Sequence, residues 1–358
     1  MSYDELVGSC IDSYDQSLPF VIYASPDSSE ITGHFQGDRT LHLSEAVQGE
    51  AFIFAPFQSE ESPVCIPYKF SWSVTTTVPS KAAAVASITY EDSDMARSTH
   101  MALVSSALEY LEEKDAEKVV VSRRATVDLK QADLRVIMNR LFTTYPSAFR
   151  YIWFHPETGM WCGATPEVLL KADGATFETM SLAGTRGFVP GNVSVWTEKE
   201  QLEQQLVTDY ITERLQKVTK VLKVSKPYEY QAGNLFHLRS DIKGVLKNGT
   251  LSRIMRVAGL LHPTPAVCGI PLKGSKKFLT KYEGYDREYY TGYLGPITTD
   301  NGVSQLYVNL RCMKIEEGKA HLYVGGGITS ASDPDSEWVE TQNKLQTMLQ
   351  VIWPLVKE

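Results

Sequence analysis

Apolar residues recur at helical spacing in several parts of the chain. Over residues 97–116 and 131–145 they return every three or four positions, which predicts two amphipathic helices. The longest pattern of this kind covers residues 197–224 and predicts a single long helix. Its start is marked by Thr197 with Glu200 three residues later, the pattern of a capping box.

Short runs of β-branched and aromatic residues, bounded by turn residues, predict strands elsewhere. Residues 149–155 and 160–164 are separated by Pro-Glu-Thr-Gly, which indicates a hairpin. Residues 303–314 and 320–324 are separated by a second turn, and Asp333-Pro334 then opens a last helix that is expected to end near residue 352. Helices that interrupt antiparallel strands predict an α+β fold.

The chain is predicted to have two unequal parts. Residues 1–97 alternate strand-like stretches, at 20–23, 51–56 and 68–74, with Gly, Ser, Pro and Asp turns, and they carry no recognisable motif. All candidate chemistry lies in residues 98–358. We therefore expect a sheet-rich N-terminal part of the same fold and a catalytic region after it.

Composition narrows the class of protein. The chain has 358 residues, 43% of them hydrophobic and 22% charged, with a net charge of −8, which is typical of a globular protein and unfavourable for binding a phosphate backbone. No apolar run approaches membrane-spanning length, and acidic residues occupy the N-terminus where a signal peptide is basic. We expect a cytoplasmic protein with no nucleic-acid or membrane partner. The five cysteines are far apart and are expected to be reduced packing residues.

Two predicted helices each begin with a pair of glutamates three residues apart. Glu200 and Glu203 lie at the start of the long helix, and Glu337 and Glu340 at the start of the last one. A spacing of three places both carboxylates of a pair on one helix face. Four carboxylates in one cleft would suit Mg²⁺. The alternative is ordinary helix capping, since acidic residues are favoured in first helical turns.

Isolated residues add weaker signals. Lys118 begins a predicted strand and Glu167 follows Pro166; either is a catalytic acid or base only if burial shifts its pKa, and otherwise it is a solvated charge. The glycines around positions 184, 269 and 325–327 could bring backbone amides close to an anion or form tight turns. Arg311, within the predicted strand 307–313, is expected to point into a cleft.

These pieces occur in a familiar order. The segments are Glu117–Arg123 (EKVVVSR), 163–170 (GATPEVLL), 182–185 (LAGT), 261–266 (LHPTPA), 285–288 (YDRE), Arg311-Cys312, 325–328 (GGGI) and 337–341 (EWVET). Over residues 98–353 the chain thereby resembles the chorismate-utilising enzymes, and among them the isochorismate synthases. The resemblance implies large antiparallel sheets with helices packed outside and an active-site cleft between two halves.

The resemblance also implies roles for residues. Lys118 would be the base that activates water and Glu167 the acid that protonates the leaving C4 hydroxyl of chorismate. Mg²⁺ would be held by Glu203 and Glu340, supported through water by Glu200 and Glu337. The residues expected to bind substrate are Gly184, Thr185, His237, Ala266, Arg311, Gly325, Gly327 and Lys344.

Three alternatives remain within this resemblance. Ammonia-dependent anthranilate and aminodeoxychorismate synthases tend to have Gln where Lys118 stands and work with a glutaminase partner, so the lysine favours water and no glutaminase subunit. Salicylate synthases, which also eliminate pyruvate, usually show a Thr-Ala-Ser-like stretch where this chain has Ala266-Val267-Cys268. A non-catalytic relative would tolerate loss of Lys118 or Glu167, and both are present. Whether the product feeds menaquinone or siderophore synthesis is left open.

Overall fold

The computed structural model describes residues 1–58, 60–79, 88, 90, 92–114, 116–187, 196–232, 235–247, 252–298 and 302–357. Within these ranges the side chains of residues 46, 185–187, 199, 232, 235, 252 and 253 are left undescribed. The segment 187–195, before the longest predicted helix, therefore falls almost wholly outside the described residues.

The described residues form seven α-helices and nineteen strands. The helices are α1 (Tyr3–Asp15), α2 (Asp94–Lys114), α3 (Leu134–Thr144), α4 (Glu198–Gln216), α5 (Ser252–Leu261), α6 (Leu272–Tyr282) and α7 (Pro334–Ile352). The strands are β1 (Phe20–Ala24), β2 (Glu30–Gln36), β3 (His42–Leu43), β4 (Glu50–Ala55), β5 (Val64–Pro67), β6 (Ser71–Thr77), β7 (Lys118–Asp128), β8 (Phe149–His155), β9 (Gly159–Thr165), β10 (Val168–Asp173), β11 (Thr176–Gly187), β12 (Thr219–Val224), β13 (Tyr228–Ala232), β14 (Leu235–Leu246), β15 (Gly269–Ile270), β16 (Tyr293–Thr298), β17 (Val303–Val308), β18 (Cys312–Glu316) and β19 (Lys319–Ile328).

The strands build two antiparallel sheets. The first sheet has the order β15-β7-β19-β18-β9-β8-β1-β2-β6, and the second has the order β12-β14-β11-β10-β17-β16-β4-β5-β3, with β13 also paired to β14. Strands from residues 20–77 enter both sheets, because β1 pairs with β8 and β4 pairs with β16. The N-terminal strands therefore extend both sheets, while the boundary at residue 97 stays a prediction.

A layer of aromatic side chains fills the space between the sheets. Tyr151, Trp153 and Trp161 of the first sheet pack in one cluster with Phe54 and Tyr307 of the second, and all are almost fully buried. This burial from both faces explains why β8 and β9 are nearly continuous runs of buried residues rather than alternating ones.

The helices cover the outer faces. The outer face of the first sheet packs with α1, α3 and α7, the second sheet packs with α4 and α5, and α2 and α6 pack beside β7. The predicted architecture of large antiparallel sheets with helices outside is thus confirmed. Among the described residues, no helix is both long and apolar enough to cross a membrane.

Most predicted elements form close to their predicted bounds, but the prediction for the longest helix was wrong at its C-terminal end. The single helix predicted for residues 197–224 ends at Gln216, and Thr219–Val224 instead form β12, the edge strand of the second sheet. The sequence Thr-Lys-Val-Leu-Lys-Val is rich in β-branched residues, and pairing with β14 outweighs the helical spacing of its apolar positions. All five cysteines are free and buried, as expected.

Candidate active site

Lys118 is the first residue of β7, and its side chain is 1% exposed. Its Nζ donates a hydrogen bond of 2.8 Å to Glu203 Oε1 on α4. The two groups meet beside Gly327 of β19, where a Cβ would lie 2.6 Å from Glu203 Oε1 and 2.7 Å from Lys118 Cε. Any larger residue at position 327 would therefore displace this ion pair.

The main chain of Lys118 is held as closely as its side chain. Gly269 of β15 has φ +138°, and a Cβ on it would lie 2.3 Å from the Lys118 carbonyl oxygen. Ser275 Oγ donates to the same oxygen over 3.3 Å. A glycine is required at position 269, and the close contact that it permits fixes the main chain where β7 begins.

Glu167 lies in the short connection between β9 of the first sheet and β10 of the second. The residue is 5% exposed, and burial raises the pKa of its carboxyl to about 7, while the charges of Lys118 and Lys344 limit the rise. Its main chain is fixed at both ends, because its N–H donates to Thr165 Oγ1 and its carbonyl accepts from the Val308 N–H. Near neutral pH this carboxyl exists in both the protonated and the ionised form.

The glutamates of α4 have different surroundings. Glu203 faces Lys118, whereas the Glu200 carboxylate accepts from the N–H of Thr197 over 2.8 Å and from the Thr197 hydroxyl. The predicted capping box is therefore present at the start of α4. Glu200 also packs against Gly184, where a Cβ would lie 3.0 Å from the Glu200 Cβ.

The glutamates of α7 lie against the glycine segment of β19. Glu337 is 3% exposed, and a Cβ on Gly326 would lie 3.0 Å from its Oε2 and 3.7 Å from Glu340 Oε1. Glu340 Oε1 accepts a hydrogen bond of 2.5 Å from Lys344 Nζ, which also donates to the Gly325 carbonyl over 2.8 Å. Three consecutive glycines thus leave room for the carboxylates of both helices.

Arg311 does not lie inside a strand as predicted. Residues 309–311 connect β17 of the second sheet to β18 of the first, and Arg311 has φ 46°, in the left-handed region. The chain must leave one sheet and enter the other at this point, so the strand pattern of 303–314 is interrupted. The side chain lines the pocket and Nη1 lies 3.4 Å from Thr347 Oγ1, while burial lowers the guanidinium pKa.

His237 and Gly184 contact each other across β14 and β11. His237 Nδ1 lies 3.0 Å from the Gly184 carbonyl oxygen, and because a carbonyl only accepts, the hydrogen is assigned to Nδ1. Burial lowers the pKa of this histidine to about 3, so its imidazole is neutral. Gly184 has φ +70° at an irregularity in the β11–β14 pairing.

These residues surround a single pocket at the junction of the two sheets, with about 720 Å³ of unfilled space, part of it open to solvent. The predicted site residues that line it are Lys118, Glu167, Gly184, Glu203, His237, Ala266, Arg311, Gly325, Gly327, Glu340 and Lys344. Glu200 and Glu337 are not among the lining residues, and the side chain of Thr185 lies outside the described part of the chain. Lysines and an arginine face acids here, which suits a small anionic ligand.

The acidic residues of the pocket bear on metal binding. Within the described part of the chain, no group of three or more His, Cys, Asp or Glu side chains is close enough together to hold a metal ion. Glu203 and Glu340 each contact a lysine. The donor types nevertheless fit a hard divalent cation, because carboxylates from α4 and α7 converge on glycines that leave space beside them.

Comparison with known proteins assigns the family. The family model described as "Chorismate binding enzyme" matches residues 69–353. The chain belongs to the chorismate-binding enzymes. It is 34% identical over 245 residues to the isochorismate synthase EntC of Escherichia coli (strain K12), a match that covers 66% of this chain and 62% of EntC.

A further relative is similar in sequence, and two solved structures are similar in fold. The isochorismate synthase MenF of E. coli is 29% identical over 264 residues, 70% of this chain and 59% of MenF, so the chain matches less than two thirds of these curated relatives. The crystal structure of DhbC from Bacillus anthracis has a TM-score of 0.80 at 24% identity, covering 97% of this chain and 99% of DhbC. Anthranilate synthase component I from Streptococcus pneumoniae has a TM-score of 0.68 at 17% identity, covering 92% of each chain.

The pocket of this chorismate-binding enzyme also contains residues that sequence reasoning missed. Tyr290, Thr291, Leu310 and Tyr323 line it, and the Tyr290 and Tyr323 rings stack with centroids 5.3 Å apart. Tyr290 and Thr291 come two and three residues after the 285–288 segment, so that motif was the available signal for them. Tyr323 lies two residues before Gly325 on the same strand, and period-two spacing could have placed it on the pocket side.

Proposed function

We propose that this protein isomerises chorismate to isochorismate by adding water at C2 and releasing the hydroxyl group at C4. The observation that carries the proposal is the placement of buried Lys118 and buried Glu167 in one pocket lined by further cations. The names of EntC and MenF, both isochorismate synthases, support the same reaction.

In the proposed mechanism Glu167 is the acid and Lys118 is the base. A carboxyl with a pKa of about 7 can hold a proton and release it at neutral pH, which is the requirement for protonating a leaving hydroxyl. To act as the base, Lys118 must present an unprotonated amine to water, and an amine in that form can keep an N–H hydrogen bond to Glu203. Lys118 gains a proton from water while Glu167 loses one to the leaving hydroxyl, so the total charge of the two groups is unchanged, and a proton must pass from Lys118 back to Glu167 before the next turnover.

The remaining lining residues are proposed to hold the substrate. Chorismate carries two carboxylates, and Arg311 and Lys344 offer two cations among the residues that line the pocket. The neutral imidazole of His237, oriented by the Gly184 carbonyl, would position the ring through its other nitrogen. Ala266 lines the pocket with a small side chain. These contacts orient the diene between Lys118 and Glu167.

We further propose that Mg²⁺ binds at the acidic side of this pocket. Glu203 and Glu340 would hold it directly, and Glu337 and Glu200 would support it through water. The Glu200 carboxylate also accepts the capping hydrogen bond from the Thr197 N–H at the start of α4. When bound, the ion supplies positive charge that neutralises and orients a substrate carboxylate. The space beside Gly326 and Gly327, next to three of these carboxylates, supports this assignment.

The test is incubation of the purified protein with chorismate and MgCl₂, followed by separate measurement of isochorismate, salicylate and pyruvate. We expect isochorismate as the product, no requirement for ammonia or a glutaminase subunit, and reversible loss of turnover with EDTA. Salicylate and pyruvate in equal amounts would instead identify a salicylate synthase. Amination in the presence of ammonium salts would identify an ammonia-dependent enzyme.

A further inference from the structure

A buried ion pair lies behind the pocket wall without reaching the pocket itself. Glu283 and Arg287 have side chains that are 3% and 2% exposed, and neither residue is among those that line the pocket. The guanidinium binds the carboxylate in a bidentate manner, with Nη2 2.5 Å from Oε1 and Nε 2.8 Å from Oε2. The rings of Phe57 and Tyr290 lie 4.6 Å and 5.8 Å from the guanidinium carbon.

Arg287 uses its other donors on three separate segments, and each acceptor residue lines the pocket. Nη2 donates to the Val120 carbonyl over 2.7 Å, and Nη1 donates to the Val267 carbonyl over 2.8 Å and to Thr291 Oγ1 over 3.2 Å. Val120 is two residues from Lys118, Val267 follows Ala266, and Thr291 follows Tyr290. One guanidinium therefore sets the relative position of three parts of the wall.

Glu283 holds the same strand two residues further along. Its Oε1 accepts from the Ser122 N–H over 2.8 Å and from the Ser122 hydroxyl over 2.7 Å. The Val120 carbonyl and the Ser122 N–H both belong to β7, the strand that begins with Lys118. The ion pair therefore binds this strand at two points. This strand cannot shift along its axis without breaking charge-assisted hydrogen bonds inside the protein.

Thr291, in the wall of the pocket, has an unfavourable backbone conformation. It is a β-branched residue with φ 61°, in the left-handed region that such residues rarely adopt. Its hydroxyl accepts from Arg287, and its N–H donates to the Asn309 carbonyl over 2.9 Å. A conformation of this kind persists only where surrounding contacts enforce it.

We propose that Glu283 and Arg287 are a positioning pair for the isomerase reaction: they fix Lys118, the Ala266 segment and Thr291 relative to one another while touching neither substrate nor metal. The inference rests on the proposed function, because it assigns Lys118 the role of base. A displacement of about 1 Å in a reacting group costs about 10²-fold in rate. Loss of the pair therefore lowers kcat far more than it changes chorismate binding.

The chain offers a matched control for this role. Arg150 is 1% exposed and donates to the carbonyls of Phe142, Ser25 and Ser28 over 2.9, 2.9 and 3.2 Å, and none of these residues lines the pocket. Arg287 and Arg150 are thus equally buried arginines that bind backbone carbonyls. Only one of them binds the wall of the pocket.

The experiment compares Arg287→Gln and Arg287→Lys with Arg150→Gln and Arg150→Lys, measuring melting temperature, kcat, KM and the chorismate Kd by calorimetry. All four variants melt earlier than the wild type. Arg287→Gln loses about 10²-fold in kcat with Kd changed less than about threefold, and Arg287→Lys recovers about tenfold of that loss. The Arg150 variants keep kcat within about twofold at temperatures where they are folded.

A second variant covers the case in which Arg287→Gln does not fold. Ser122→Ala removes the hydroxyl contacts with Glu283 and with Tyr285 but leaves the Ser122 N–H bond to Glu283 and the ion pair in place, and kcat falls several-fold with Kd unchanged. The positioning role would be overturned if the folded Arg287 and Arg150 variants had equal kcat values. It would also be overturned if kcat were unchanged in both Ser122→Ala and Arg287→Lys. Failure of the proposed function is separate, because it shows in the wild type as another product or as no turnover.

Discussion

Replacement of Glu167 by Gln is expected to stabilise the protein while removing its proposed acid. The carboxyl is 5% exposed, and burial raises its pKa from a usual value of 4.5 to about 7. Between these two values the folded protein binds more protons at this site than the unfolded chain does. The free energy of unfolding contributed by Glu167 therefore falls as the pH rises through this range.

The size of the effect follows from the two pKa values. A carboxyl moved from 4.5 to about 7 costs the folded state about 1 kcal/mol at pH 5 and about 3 kcal/mol at pH 8, with little further change above pH 7. Glu167→Gln keeps the shape of the side chain but cannot ionise. Its stability advantage over the wild type should consequently grow by about 2 kcal/mol between pH 5 and pH 8.

Urea denaturation of both proteins at pH 5, 6, 7 and 8 measures this difference. Glu213→Gln is the control, because Glu213 lies on α4 with a side chain 75% exposed, and its stability difference should stay within ~0.5 kcal/mol at every pH. An advantage of Glu167→Gln that is the same at pH 5 and pH 8 would refute the reasoning, since the carboxyl would then titrate as it does in water.

Four further outcomes are expected. The reverse reaction needs the ionised carboxylate of Glu167 as its base, so its kcat/KM should fall as the pH drops through about 7; the forward value should fall by the same factor, because the two isomers ionise alike and their equilibrium fixes the ratio of the two values. Lys118→Gln should lower kcat by about 10²–10⁴-fold with a smaller change in KM, and an unchanged kcat would point to another base. Glu203→Ala or Glu340→Ala should abolish Mg²⁺-dependent turnover while the far-ultraviolet circular dichroism spectrum is retained. Full activity in metal-free buffer would show that the reaction does not need the ion. Gly327→Ala places a Cβ 2.6 Å from Glu203 Oε1 and should reduce kcat at least tenfold; normal turnover would show that the ion pair beside this glycine is free to move.

Local sequence patterns predicted those helices and strands that are determined by residues close together in the chain. The helices α2, α3 and α7 and the β8–β9 hairpin follow from spacing, capping residues and a turn, and they form near their predicted bounds. The strand β12 could not be predicted in the same way. Its apolar positions continue the helical pattern of α4, and only pairing with β14, a strand encoded elsewhere in the chain, makes it extended.

In the candidate site, too, nearby residues predicted some properties, and others depend on distant parts of the chain. The spacing of the glutamates on α4 and α7 predicted that each pair shares a helix face, and the structure places three of these carboxylates beside Gly326 and Gly327. The burial of Glu167 depends on a crossing from one sheet to the other, and the orientation of Arg311 depends on the return crossing. Neither property is encoded near the residue itself. The roles of these residues remain predictions.

The most direct test of the central claim is the origin of the oxygen at C2 of the product. Wild-type protein is incubated with unlabelled chorismate and MgCl₂ in H₂¹⁸O, and the isochorismate is analysed by mass spectrometry. The account predicts one ¹⁸O atom in each isochorismate formed, located at C2, because water is the nucleophile and the C4 hydroxyl leaves. Isochorismate without ¹⁸O would mean that the original hydroxyl migrates, and it would contradict the roles proposed for Lys118 and Glu167.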